Sequence, residues 1–238
     1  MISLIFFTLL FTHISAINIG CLISKCGLPL SKCIISPSCQ STSKCANECN
    51  GDLICQMKCS FKYPNTLFNL LGVCVYRHGC VDVPSVPEVE ITESVQVTAR
   101  DLQGDWYVMA GLDKGVDCFP CQKLRIGSDR GDHTYTFLDI NRTRTISTSL
   151  DFSNGRVVAQ FNDYGIKGRD EWSFLEKGHV SVMRYKGRSD MGGYNGGYVL
   201  SRSPSLSGTE KNRVMDVFVG QGITKDEICW LDRTNCPV

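Results

Sequence analysis

Ten cysteines crowded between Cys21 and Cys80 limit what this chain can become more than any other feature. A segment of about sixty residues with so few large apolar side chains has little core of its own, so cross-links must hold it. All 14 cysteines follow Met1–Ala16, a Leu/Ile/Phe-rich run that ends Ile-Ser-Ala and reads as a secretory signal cleaved after Ala16. An even number of cysteines in an exported chain implies disulfides. Zinc would want Cys/His sets at ligand spacing, whereas His78, His133 and His179 are scattered singly, so no metal is expected.

Cys45-x3-Cys49 and Cys55-x3-Cys59 each place two thiols on one helix face, with Asn50-Gly51-Asp52 as the turn between the helices. Antiparallel packing then predicts Cys49–Cys55 and Cys45–Cys59. The same nesting applied upstream predicts Cys26–Cys33 and Cys21–Cys39, which leaves Cys74 with Cys80. Connectivity is not fixed by sequence alone, and these pairs are expectations.

Residues 21–80 hold six Lys/Arg against two acids, a charge of +4, while the whole chain is +1 and the remainder therefore −3. That shift, followed by Val81-Asp-Val-Pro-Ser-Val-Pro87, marks a domain boundary and an extended linker. The organisation read from the chain is a signal over 1–16, a disulfide-stapled helical domain over 17–82, a linker over 83–100, a barrel over 101–203, and a C-terminal helix with a disulfide-tied tail over 204–238. A net charge near zero gives no reason to expect nucleic acid, and no later stretch is long and apolar enough for a membrane helix. The basic first domain allows peripheral contact with an anionic lipid surface.

From Asp101 onward short alternating runs are separated by Gly, Asn and Asp turns. Eight strands are expected, at 104–110, 119–126, 132–140, 143–151, 156–162, 169–175, 178–185 and 195–202, the number an up-and-down antiparallel barrel with one ligand cavity requires. An eight-stranded sandwich is the competing architecture. Gly104-Asp105-Trp106-Tyr107 opens the first strand and looks like the Gly-x-Trp signature of lipocalins; Arg202 ends the last strand where lipocalins place a guanidinium over that indole. Ser207 to Val219 reads as a helix, with Val214 and Phe218 spaced i, i+4.

Within Gly168–Tyr185 a tight turn at Lys177-Gly178 joins two strands, and period two puts Asp170, Trp172 and Phe174 on one face. If that face lines a barrel, desolvation raises the Asp170 pKa above its ordinary value of about 3.9 and makes it a candidate proton donor. The competing reading is a strand-end carboxylate paired with Arg169 or Arg184. Tyr185 and Arg184 alternate, and Tyr185 is expected inside. Gln122 shares a face with Leu124 and Ile126 and is expected inside too, either holding a ligand or satisfying a buried backbone group. Trp172 serves equally as core or as a ligand shelf.

The cysteine-rich segment, the Gly-x-Trp-Tyr strand, Cys121-Gln122, Asp170-Glu-Trp172, Tyr185-Lys-Gly-Arg188-Ser-Asp190 and Gly193-Tyr-Asn-Gly-Gly197, in this order, resemble the violaxanthin de-epoxidase family over roughly Cys21 to Cys236. The resemblance implies a lipocalin-type lumenal oxidoreductase that reduces epoxidised xanthophylls with ascorbate, works and dimerises at acid pH, and loses activity when its disulfides are reduced. It implies Asp170 and Tyr185 as the catalytic pair and Gln122 and Trp172 as substrate-binding. Relative to the family pattern, Pro120 replaces an Asp before Cys-Gln, Leu200 replaces a cavity tyrosine, and nothing after Cys236 corresponds to the Glu-rich domain of the plant enzymes. Cys118 and Cys229 look additional, and with Cys121 and Cys236 they are expected to pair among themselves and tie the barrel to its tail.

Opening an epoxide needs a proton at oxygen and a hydride equivalent at carbon. A protein side chain supplies only the first, and no Gly-rich dinucleotide fingerprint precedes a helix, so a bound nicotinamide is not expected and the reductant must be diffusible, which the resemblance implies to be ascorbate. Three other readings compete: a secreted, non-catalytic lipocalin carrying a long apolar ligand such as a carotenoid; an interaction module bound through the cysteine domain; and a redox-active Cys118-Phe-Pro-Cys121 dithiol. The last lacks the helix start that lowers a thiol pKa. The compartment is extracellular, or a plastid lumen if the source carries a secondary plastid.

Overall fold

The computed structural model describes residues 17–50, 53–81, 86, 91, 94–127, 132–139, 142–152 and 156–236. The signal expected over 1–16 and much of the linker expected over 83–100 lie outside these residues. The chain divides into two compact units, one built around four helices and one around a barrel.

The helical unit comprises α1 (Ile19–Ile34), α2 (Pro37–Glu48), α3 (Leu53–Lys62) and α4 (Thr66–Arg77). Asn18, Ser36 and Asn65 cap α1, α2 and α4 by accepting the first-turn backbone N–H of Cys21, Cys39 and Phe68. Pro29 has no N–H to give to the turn before it, and α1 kinks at Cys26 (φ −117°, ψ 20°) without ending.

That continuity corrects the cysteine pairing. Cys26 and Cys33 lie seven residues apart on one helix, a rise of about 10 Å, which exceeds the roughly 7 Å a disulfide tolerates. Instead α1 packs against α4 through Leu22, Leu30, Leu71 and Val75, and the joined pairs are Cys21–Cys80, Cys26–Cys74 and Cys33–Cys39. The expected Cys21–Cys39, Cys26–Cys33 and Cys74–Cys80 do not form. Cys45–Cys59 and Cys49–Cys55 join in the nested arrangement expected for α2 and α3.

The second unit begins with α5 (Ala99–Leu102), capped by a Thr98–Asp101 box, and continues through β1 (Gly104–Gly111), β2 (Lys123–Ile126), β3 (Asp132–Asp139), β4 (Arg142–Asp151), β5 (Val157–Asp163), β6 (Ile166–Glu176), β7 (Val180–Ser189) and β8 (Gly192–Ser201). Successive strands pair, and β1 pairs with both β2 and β8, so the sheet closes into an eight-stranded antiparallel barrel. A ninth short strand, β9 (Cys229–Trp230), adds to β1.

The second strand was expected from 119 and starts at Lys123. Cys121 takes a left-handed backbone (φ 63°), and the turn before the strand is tied to the tail by Cys118–Cys229 and Cys121–Cys236. Cys118 and Cys121 thus do not form a dithiol with each other.

Period two sorts the barrel wall. Val108, Met183, Tyr185 and Leu200 join the interior with Trp106, Trp172 and Phe174, while Met109, Val182 and Val199 pack outside with Val214 and Phe218 of α6 (Gly208–Gly220). At one end the Trp106 indole N–H donates to the Leu102 carbonyl at 2.7 Å, and the Arg202 guanidinium lies 3.5 Å from the centre of that ring. Arg202 also donates to the carbonyls of Asp105 and Asp101, fixing the cation over the indole.

Candidate functional site

Asp170, Trp172 and Phe174 occupy one face of β6, and Trp172 and Phe174 belong to the interior cluster. The face predicted from alternation is therefore the inner wall. Asp170 sits opposite Gly187 of β7, and its carboxylate accepts a hydrogen bond from the Tyr194 hydroxyl of β8. A Cβ at position 187 would collide with both the Asp170 oxygen and the Tyr194 ring, so the contact depends on that glycine. Burial pushes the Asp170 pKa up to about 6, with the bonds from Tyr194 and Trp172 holding it partly back. Arg169 pairs with Glu171 at 3.7 Å, and Arg184 belongs to the opposite, outer wall.

Tyr185 points inward as expected and faces Trp172 across the β6–β7 ladder. Its hydroxyl does not contact Asp170; it donates to Asp117 Oδ1 at 2.6 Å. Asp117 is fully buried, and its other oxygen accepts the backbone N–H of Leu112, Asp113 and Gly197 at 3.3, 2.9 and 3.1 Å. Desolvation dominates and lifts its pKa to about 7, although four donors favour the anion. The same burial, with Asp117 alongside, drives the Tyr185 hydroxyl well above its ordinary value of 10.0.

The two carboxyl–tyrosine pairs meet through their rings. Tyr185 stands edge-on to Tyr194 at 6.1 Å and stacks on Tyr198 at 5.5 Å. The interior thus carries two protonatable carboxyls, each served by a phenol, along an aromatic wall.

Gln122 is fully buried, and its amide nitrogen donates to the Val116 carbonyl at 3.1 Å. It braces the turn that presents Asp117, the backbone-satisfying role weighed against ligand binding.

Sequence reasoning missed Asp117 and Tyr194. Asp117 lies in an irregular turn, where period two has no meaning; the one available signal was a carboxylate beside Cys118 close upstream of Gln122. Its Oδ1 takes the hydroxyl of the inward tyrosine. Tyr194 stood within the glycine-rich run Gly193–Gly197, without a partner that chain order could indicate.

A family model described as the VDE lipocalin domain, VDE being violaxanthin de-epoxidase, matches residues 18–233. The chain belongs to this family. It is 33% identical over 213 residues to "Violaxanthin de-epoxidase, chloroplastic" of Nicotiana tabacum, covering 78% of this chain and 44% of that protein. To the protein of the same name from Arabidopsis thaliana it is 28% identical over 216 residues, covering 79% and 46%. The chain thus spans about half the length of the curated relatives it matches. Among solved structures, insecticyanin from the tobacco hornworm Manduca sexta matches at TM-score 0.50 and 14% identity, over 64% of this chain and 89% of that one, a likeness of fold alone.

Proposed function

We propose that this VDE-family barrel removes the epoxide oxygen of a xanthophyll, with diffusible ascorbate as reductant, in an acid and oxidising compartment. The observation that carries the reading is the Asp170 carboxyl on the inner wall, beside Trp172 and Phe174, with its pKa lifted to about 6. Such a group holds a proton under mildly acid conditions and releases it to a stronger base in a poorly hydrated pocket, the requirement for a general acid.

In the proposed reaction Asp170 protonates the epoxide oxygen and weakens a C–O bond. Ascorbate monoanion gives two electrons and one proton and becomes dehydroascorbate. With one proton from the medium, delivered through Asp170, the oxygen leaves as water and a C=C bond remains. Tyr194 orients Asp170 by donating to it and re-forms the bond when the carboxylate is left behind. Trp172 and Tyr198 supply flat apolar surface for a polyene end group. Tyr185, bound to Asp117, fixes the neighbouring wall; its assignment as direct partner of Asp170 gives way to Tyr194. Seven disulfides fit a compartment outside the reducing cytosol.

The test is de-epoxidation of violaxanthin, dispersed with a galactolipid, in the presence of ascorbate between about pH 4.5 and about pH 8. Turnover is expected to rise as pH falls through about 6. Asp170→Asn, close to isosteric, is expected to lower turnover about 100-fold or more while pigment binding persists. Unaltered acid-pH turnover in that variant overturns the assignment of Asp170. Absence of product in the parent protein, with tight pigment binding, favours a non-catalytic carrier.

A further inference from the structure

The outer wall of the barrel carries a cavity of about 270 Å³ that the proposed reaction leaves unused. Its residues come from three places: Leu112 and Lys114 in the turn after β1, Arg184 of β7 with Asn195 and Gly196 of β8, and the Ile223–Glu227 segment after α6. Arg184 follows from the pleat. Tyr185 points into the barrel, so its neighbour points out, beneath the C-terminal segment.

Arg184 is only 8% exposed, and its Nε is buried without a hydrogen-bond partner among the described residues. No carboxylate among them lies within ion-pair distance of it. A guanidinium withdrawn from water in this way is costly unless an anion reaches it. The nearest acid in charge terms is Glu227, but one of its oxygens is already held by the Thr224 amide and hydroxyl at 2.7 Å each. Asp226 and Glu227 are exposed at the rim, as is Lys114.

The rim and the buried end therefore ask for different things. A bare inorganic anion would meet two rim carboxylates, and a neutral apolar ligand would leave Arg184 unmatched. An organic anion with several hydroxyls satisfies both, its charged oxygen toward Arg184 and Lys114 and its hydroxyls donating to Asp226 and Glu227. The volume lies below the 300 Å³ or so at which sites for drug-sized ligands begin, which suits a compact ligand. We propose that this cavity is a binding site for a small polyhydroxylated organic anion, separate from the barrel interior.

Gly196 gives the site a further property. A Cβ on it would project into the Tyr185 hydroxyl and Asp117, so its backbone is the partition between the outer cavity and the buried pair.

The experiment is calorimetric titration of the full chain, without pigment, with ascorbate under anaerobic conditions, and with gluconate and inorganic phosphate. Only the choice of ascorbate rests on the proposed reductant; gluconate tests the site by itself. Saturable binding of ascorbate or gluconate at one equivalent is expected, with phosphate weaker. Arg184→Gln and Lys114→Glu are each expected to weaken it at least tenfold, and Asp226→Asn is expected to weaken the polyols while strengthening phosphate. Lys114 is exposed, so Lys114→Glu decides the matter if Arg184→Gln fails to fold. Unchanged affinity in Lys114→Glu, or no binding of either polyol, overturns the site. Failed epoxide turnover with polyol binding intact would count against the proposed reaction and leave this site standing.

Discussion

Cys26, Cys33, Cys39 and Cys80 are buried among a few leucines and valines in the helical unit, so its interior is largely cystine. Trp106, Trp172, Phe174, Tyr185 and ten aliphatic neighbours fill the barrel, and its two disulfides join a turn to the tail without entering the interior cluster. One unit is closed by covalent bonds because its helices bury little apolar area. The other closes by hydrogen-bonding its first strand to its last and filling the space with aromatic rings. A barrel fixed in this way can bury carboxyls at a cost that its packing offsets, as with Asp117 and Asp170.

The sharpest way to break the contrast is reduction. Five cross-links at about 2–4 kcal/mol each exceed what so small a helical core can replace, so dithiothreitol is expected to abolish protection of α1–α4. Hydrogen-exchange mass spectrometry should then find β6–β8 still protected. Simultaneous loss of both units would refute the idea that they are closed by different means.

A smaller effect separates packing from polar satisfaction inside the barrel. Asp117→Ala strands three backbone N–H groups and the Tyr185 hydroxyl, at about 1–3 kcal/mol for each group left unpaired, and should lower the barrel's melting temperature markedly. Asp117→Asn can turn its carbonyl to the amides and its NH2 to the phenol oxygen, and should recover much of the loss. The pH dependence sharpens this. Asp117 and Asp170 have folded pKa values of about 7 and about 6, above the ordinary 3.8, so the folded state holds protons that the unfolded chain has released. Their contribution is complete below about 3.8 and is lost as pH rises through 6 to 7. Thermal unfolding should therefore give a lower midpoint at pH 8 than at pH 5, with a shallower slope in Asp117→Asn. An unchanged slope would mean that Asp117 is not the titrating group.

The smallest effect tests whether the outer helix belongs to the barrel. Ser207 accepts the Glu210 N–H and caps α6, and Ser207→Ala should cost about 1 kcal/mol. Chemical denaturation should register that loss in the barrel's transition and leave the helical unit's transition unmoved.

What the sequence disclosed follows the range of the interactions. Period two put Asp170 with Trp172 on one face and set Tyr185 opposite to Arg184, because pleat direction is local; which face lines the interior came from the barrel expectation and not from alternation. The Trp106–Arg202 contact was legible from a motif and a strand count. Cys45–Cys59 and Cys49–Cys55 were legible because their helices are adjacent and joined by a short turn. Cys21–Cys80 and Cys26–Cys74, 59 and 48 residues apart, depend on which helix packs on α1, and no local pattern carries that. Asp117 and Tyr194 were hidden for the same reason. Asp117 acquires Tyr185 only when β1 pairs with β8, and Tyr194 reaches Asp170 only across the strand between them.

Gly187 sets a boundary on how this interior can vary. The hydrogen it offers in place of a side chain is what lets Asp170 of β6 and Tyr194 of β8 meet across β7. Strand β7 consequently has no handle with which to adjust the proton affinity of Asp170 from directly across the ladder, since every other residue type would pry the pair apart. Tuning by design or by drift must act instead through Tyr194 or Trp172, the two side chains whose hydrogen bonds already restrain that carboxyl.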